Sequence, residues 1–274
     1  MVARPDIKAW RPQVDGIAEV LHARITEHVY PMHTHDSWTL LIVDDGVVRY
    51  DLDRHEYGAL EQLVTLLPPH VPHNGCSVKP TGFRKRVIYL DSSQLGDHLI
   101  GLAVGNPACD DPVLRERIHQ LHNALTHPGD ELEADSRLAF VAERLRAHLE
   151  RRCEPKEPAA DPGLAHRLRE LLDECFVEGV TLREASEQLH AHPAHLVRVF
   201  SQEFGMGPHQ YLTGRRVDLA RGLLLAGMAP RAVAASAGFY DQSHFTRHFK
   251  RILGISPGQY ARTGPPTGLR RVTV

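Results

Sequence analysis

No stretch of the chain approaches the ~18 consecutive apolar residues of a membrane span, and the opening MVARPDIKAWRP lacks the apolar core of a secretory signal. Cysteine is scarce. Cys76, Cys109, Cys153 and Cys175 are scattered without a CxxC pair, which excludes a zinc ribbon and a disulfide framework. Nothing leans toward disorder or fibre, because 42% of residues are hydrophobic and 24% charged, as in ordinary folded proteins. These absences leave a cytoplasmic globular protein with no membrane partner, and 274 residues suffice for roughly two domains.

The net charge of -2 conceals an asymmetry. Residues 181–274 carry 12 Lys+Arg against 5 Asp+Glu, while the first 180 carry 20 against 29. A basic C-terminal third on an acidic body suggests a polyanion-binding module attached to something that does not touch nucleic acid.

Hydrophobic periodicity divides the chain. Residues 17–90 read as short strands, with runs such as TLLIVDDGVVRYDL and LVTLL broken at Asp44-Asp45-Gly46, Tyr57-Gly58 and Pro68-Pro69. Many short strands without intervening helices favour a barrel or sandwich, expected over 1–110. Residues 111–152 switch to a helical period and read as a hairpin. Its stripes are Leu114, Ile118, Leu121, Leu125 and Leu138, Val141, Leu145, Leu149. Such stripes serve equally a core of the same chain or a subunit interface, which keeps a homodimer open. CEPKEPAADP at 153–162 reads as a proline-stiffened linker whose Asp161-Pro162 caps the next helix. From 163 to 274 every signal is helical, including a capping box at Thr181–Glu184 and helix-stop glycines at 205, 238 and 254. The fold class is therefore α+β and multidomain.

The helical part contains a repeat. A shift of 49 residues places LVRVFSQEFGMGPHQY (196–211) on FTRHFKRILGISPGQY (245–260), with six identities in sixteen: Arg198/Arg247, Phe200/Phe249, Gly205/Gly254, Pro208/Pro257, Gln210/Gln259 and Tyr211/Tyr260. The unit is a helix-turn-helix. On a helical wheel, Leu196, Val199, Phe200 and Phe204 face the core of the first copy, and Phe245, Phe249 and Ile252 that of the second. Ala194, Arg198, Ser201 and Gln202, and then Ser243, Arg247, Lys250 and Arg251, face outward. A solvated face is the alternative for either helix alone. Two acid-free faces in register, each with Arg at the same position, favour a major groove, where the Arg fork reaches guanine.

With Arg216, Ala220, Ala234, Gly238-Phe239, DQSHFTRHFK at 241–250, GISP at 254–257 and Tyr260, the segment 165–262 resembles the AraC/XylS family of bacterial transcription regulators. That resemblance implies double-stranded operator DNA as partner, a homodimer, and contact with RNA polymerase. It also implies two helix-turn-helix units on one long helix, entering successive turns of the major groove. Carried over by position, the first reading helix offers Ala194, His195, Val197 and Arg198, and the second Gln242, Ser243, Thr246 and Arg247. Lys250 and Arg251 suit phosphates. His192-Pro193 stands where the family has a Ser-type cap.

Upstream, His33-Thr-His35, then Thr39, Gly46 and Pro68-x-His70-x-x-His73 resemble the two cupin motifs, with Thr39 in the acid position and His70 in a glycine position. Residues i and i+2 of a strand share a face, so His33, His35 and His73 are expected to converge inside a barrel. Three imidazoles suit a divalent transition metal. Thr39 in place of a carboxylate favours a metal-free pocket for a small-molecule effector over a metal-assisted one, and both over catalysis; nineteen histidines also allow chance clustering. The leading expectation is a ligand-responsive regulator without enzymatic activity. Its rivals are a metal-dependent cupin enzyme or metal sensor fused to a DNA-binding tail, and a nucleoid-type binder, which has no use for a cavity.

Overall fold

The computed structural model describes residues 6–26, 29–53, 55–150 and 161–262. The chain divides into two units, one of residues 1–123 and 137–157, the other of 124–136 and 158–274.

The first unit is built on two antiparallel sheets. Strands β1 (Asp6–Trp10), β2 (Ile17–Ile25), β4 (Trp38–Asp45), β7 (Val64–Leu67), β9 (Phe83–Leu90) and β10 (Ala108–Cys109) form one, in the order β1-β2-β9-β4-β7-β10. Strands β3 (Tyr30–His33), β5 (Val48–Leu52), β6 (His55–Ala59) and β8 (His73–Ser77) form the other, in the order β3-β8-β5-β6. A single core joins Ile25, Val43 and Phe83 of the larger sheet to Tyr50, Leu52 and Ala59 of the smaller. Strand β4 is buried along six successive residues, consistent with its central place between β9 and β7. Asp44-Asp45-Gly46 turns the chain between β4 and β5, Gly46 taking a φ of 85°. Tyr57-Gly58, expected as a break, lies inside β6, where both residues pair with β5. Cross-strand pairing there overrides the local turn preference of glycine.

Short helices α1 (Ser92–Leu95) and α2 (Ile100–Gly105) flank a 3-10 turn at Asp97–Leu99. The hairpin is formed by α3 (Pro112–Leu125) and α4 (Glu131–Leu149). All eight residues of its two expected stripes are buried within the one chain. The division between units falls inside this hairpin, whose loop belongs to the second unit.

The expected linker lies outside the described residues except for Asp161 and Pro162. Asp161 caps α5 (Pro162–Glu174) by accepting the Leu164 N–H. The second unit continues through α6 (Leu182–Leu189), α7 (Pro193–Phe204), α8 (Pro208–Leu225), α9 (Pro230–Ser236), α10 (Gln242–Leu253) and α11 (Pro257–Ala261). The repeat is structural. Helices α7 and α10 both span 12 residues and end on Gly205 and Gly254 in the left-handed region, at φ 68° and 76°. The Thr181–Glu184 capping box is formed. His192 supplies the cap expected of a Ser-type residue, its Nδ1 accepting the Ala194 N–H at 3.2 Å.

One core assignment changes. Ile252 is 46% exposed, and Leu253 packs with Phe245 and Phe249 instead. The second copy thus repeats the i, i+4, i+8 pattern of Leu196, Phe200 and Phe204. Among the described residues, Cys76, Cys109 and Cys175 are free thiols, and no helix is long and apolar enough to cross a membrane.

Candidate functional site

Between the two sheets of the first unit lies a cavity of about 110 Å³. His33, His35 and His73, the three residues expected to converge, all line it, and so does Thr39 of the cupin-like acid position. The ring centroids of His33 and His73 are 4.6 Å apart, those of His33 and His35 4.9 Å, and those of His35 and His73 5.1 Å. His33 and His73 face each other in register on β3 and β8. His35 reaches the same cavity from the loop after β3 rather than from the strand, so strand alternation is not what orients it.

Hydrogen bonding sets the tautomers. His33 Nδ1 lies 2.7 Å from the Pro31 carbonyl and His73 Nδ1 lies 3.0 Å from the Val71 carbonyl. A carbonyl only accepts, so both Nδ1 atoms carry the proton and both Nε2 atoms keep a lone pair. Burial pushes His35 down to about 4, helped by the fields of His73, His33 and Lys85, and burial also lowers His73. Thr39 Oγ1 is buried with no hydrogen-bond partner among the described residues. His70, in a glycine position of the cupin pattern, takes the left-handed φ of 61°. Its N–H reaches the His35 carbonyl at 2.8 Å, which ties the loop carrying His35 to the loop that leads into β8 and His73.

Two wall residues were not singled out by motif. Lys85 and Tyr89 alternate with Phe83 and Val87 on the inner face of β9. The Lys85 ammonium stands 4.2 Å from the centre of the Tyr30 ring, and burial pulls its pKa down to about 8. Burial pushes the Tyr89 hydroxyl up to about 12. The signal available in sequence was period 2: a lysine at an inward position between two apolar ones.

In the second unit, the expected DNA-contacting residues separate into two groups. His195 and Arg198 are half-buried on α7; Gln242, Ser243, Lys250 and Arg251 are exposed on α10, and Thr246 and Arg247 half-exposed. Ala194 and Val197 are buried, and no base edge can reach them. Helix α7 packs against α5, α6 and α8, and three neighbours cover more of its circumference than a single apolar stripe.

The face of α10 is also not free of acid. Asp130, in the hairpin loop, is 4% exposed and holds Arg247 Nη2 at 3.0 Å. Its Oδ1 accepts from His244 Nε2 at 3.1 Å and His248 Nε2 at 2.8 Å. Gly129 lets the loop come this close. It sits at φ +94°, and an added Cβ would collide with the His244 ring. Burial alone would raise the Asp130 pKa, but the hydrogen bonds from His244 and His248 hold it well below the usual carboxylate range. Burial lowers His248 and takes His209 to about 4, against the pull of Glu133 and Asp130. Asp130, His209 and His248 also offer three ligand atoms within 4.8 Å of one another.

A pH dependence follows from the buried imidazoles. His35 and His209 fall from the ordinary 6.5 to about 4, and His122 well below 6.5, each chiefly through burial. Below pH 6.5 the unfolded chain takes up protons that the folded one refuses, so folding stability is complete above 6.5 and declines as the pH falls toward 4. Urea midpoints measured from pH 7.5 to pH 4 are expected to be level down to about 6.5 and then to drop; a flat profile would mean that these rings are solvated.

The chain matches two family profiles. Residues 16–142 match the AraC-like ligand binding domain, and residues 185–263 a helix-turn-helix domain. YisR of Bacillus subtilis, an uncharacterized HTH-type transcriptional regulator, is 28% identical over 144 residues, covering 52% of this chain and 50% of that protein. LumQ of Photobacterium leiognathi, described as a probable transcriptional regulator, is 29% identical over 154 residues, covering 54% and 60%. The chain thus aligns with about half the length of these relatives. Among solved structures, the C-terminal domain of AraT, a response regulator from Geobacillus stearothermophilus, is 29% identical, with 42% of this chain and 96% of that one covered and a TM-score of 0.38. The two profile matches, one on the two-sheet unit and one on the repeated helix-turn-helix unit, converge on one conclusion: the chain belongs to the AraC/XylS family of transcriptional regulators.

Proposed function

We propose that the protein is a sequence-specific DNA-binding regulator whose two-sheet unit binds a small effector. The observation that carries this reading is the duplicated helix-turn-helix, which sets Arg198 and Arg247 at equivalent positions of α7 and α10. His195, Arg198, Gln242, Ser243, Thr246 and Arg247 are the base-reading candidates, and Lys250 and Arg251 the phosphate contacts. Effector binding shifts the regulator only insofar as the effector favours one arrangement of the chain over another. The homodimer, the contact with RNA polymerase and the cytoplasmic location rest on the family; the leucine stripes are buried within one chain and so lend the dimer no support. No catalytic step is assigned.

Selection of binding sites from a random DNA pool, followed by titration of the variants, tests the reading. Arg198→Ala and Arg247→Ala are each expected to cost about 1–3 kcal/mol of specific binding and to relax discrimination at one base pair. Equal loss on all sequences would make them phosphate contacts instead. Arg247→Ala also strips Asp130 of a partner, so a lowered urea midpoint is expected for that variant.

A second reading has its own observation. The Nε2 lone pairs of His33 and His73, with His35 beside them, are the donor set of a three-histidine site for a divalent transition metal, and their Nδ1–H bonds to backbone are the usual outer support of such ligands. Bound there, a metal would supply a Lewis acid at the cavity floor. Metal content of the purified protein, compared with a His33→Ala/His35→Ala variant, decides between the two readings.

A further inference from the structure

A lysine on the inner face of a β-sheet needs a reason. Inner positions of β9 are filled by Phe83, Val87 and Tyr89, and among the described residues Lys85 stands as the one Lys or Arg in the cavity wall. Among the described residues no Asp or Glu lines the cavity. Among the described residues no carboxylate pairs with the Lys85 ammonium, whose close neighbours are the rings of Tyr30 at 4.2 Å and Phe83 at 5.9 Å. Lys85 is half-buried, and a charge partly withdrawn from water without a counter-charge is costly, so such groups are ordinarily paired. The cation–π contact with Tyr30 offsets only part of that cost.

The rest of the wall specifies what could complete it. His33 and His73 turn lone pairs inward and so accept hydrogen bonds rather than donate them. The orphan Thr39 hydroxyl can do either. Leu21, Leu41, Val48, Leu67 and Val87 supply apolar contact. A ligand satisfying all of these carries an anionic group for Lys85, a hydroxyl proton for an imidazole, and a short apolar body. The cavity, about 110 Å³, is smaller than the ~150 Å³ that accepts benzene, so it encloses about four to six non-hydrogen atoms.

We propose that the cavity binds a small hydroxylated carboxylic acid, its carboxylate on the Lys85 ammonium and its hydroxyl donating to Nε2 of His33 or His73. This rests on the effector-pocket reading above and gives it a ligand class. At neutral pH the ammonium keeps its proton, and the charge-assisted bond to a carboxylate is of the strong kind.

The test uses the full chain treated with EDTA, with thermal unfolding and calorimetric titration as readouts. Glycolate, lactate and 3-hydroxypropionate are the probes, and propionate, butyrate and 1,2-propanediol the controls. Hydroxy acids are expected to raise the Tm by a few degrees at millimolar concentration, and the controls to do so much less. Lys85→Met is expected to fold at least as stably as the wild type, because it removes a half-buried charge that no described carboxylate pairs, and to bind hydroxy acids at least about tenfold more weakly. His73→Gln, which keeps an acceptor of similar reach, is expected to reduce the preference for the hydroxyl without abolishing acid binding.

Stabilisation of wild type and Lys85→Met alike by the neutral diol would overturn the acid assignment and leave the effector pocket standing. Binding that appears only after Zn(II) is added would overturn the hydroxyl-to-imidazole contact. A Lys85→Met chain that unfolds readily would make the lysine structural and sink the proposal. A hydroxy acid that binds as expected but leaves DNA affinity unchanged would uphold the acid site and remove the effector reading instead.

Discussion

Replacing Asp130 by alanine is expected to lower the unfolding free energy by about 3–5 kcal/mol, the usual cost of removing one partner from a buried charged network. The carboxylate is 4% exposed and accepts from His244, His248 and Arg247 at 2.8–3.1 Å. Its removal leaves the buried His244 and His248 N–H groups facing a hole without an acceptor, while the half-exposed Arg247 guanidinium turns to water. Asp130→Asn is expected to lose less, because the amide oxygen still accepts one of these bonds. Urea unfolding monitored by circular dichroism measures both. A loss below about 1 kcal/mol for the alanine variant would mean that water reaches the site and solvates what the carboxylate held. The same variant bears on DNA binding, because Asp130 holds the arginine that α10 offers to a base. Specific affinity measured where Asp130→Ala remains folded is therefore expected to be retained, because Arg247 itself is still present.

The second large effect lies in the core of the repeated unit. Phe249→Ala is expected to cost about 3–5 kcal/mol and to abolish specific DNA binding with it. The ring is fully buried, 5.3 Å from the Phe245 ring and 5.4 Å from that of Tyr260. Its packing joins α10 to α8 and α11, and the cavity left behind cannot collapse without moving a helix that must present a DNA-facing surface. Phe200→Ala is expected to do the same in the first copy, where the ring meets Phe204 at 4.7 Å and Tyr211 at 5.5 Å. Ile252→Ala is the control. At 46% exposure it is expected to change stability by no more than about 0.5 kcal/mol, and a loss comparable to that of Phe249→Ala would return Ile252 to the core.

Most of the second unit was legible residue by residue. Helix stops at Gly205 and Gly254, the Thr181–Glu184 box and the Asp161-Pro162 start are written in a few adjacent residues, and the structure forms each of them. The convergence of His33, His35, Thr39 and His73 was also legible, although His35 arrives by a loop. What escaped were residues whose burial depends on several neighbours at once. Ala194 and Val197 have a plausible outward placement on a lone helix and lose it when α5, α6 and α8 surround α7. Tyr57-Gly58 is a turn signal by composition and a strand by pairing.

The sequence by itself determined the duplicated helix-turn-helix, its caps and stops, the basic C-terminal third, and the histidines brought to one cavity. The repeat, caps and stops depend on local conformation or on period, which short stretches of chain encode; the histidines were legible only through the motif they resemble, since β3 and β8 pair across 40 residues. Only the tertiary structure decided that Lys85 faces a cavity lined by no described acid, and that the α10 arginine meets Asp130. Those are pairings across long separations, 114 and 118 residues for the two imidazoles on Asp130. A buried charge acquires its partner, or lacks one, only when distant elements close around it, because the desolvation that makes it matter does not exist until they do.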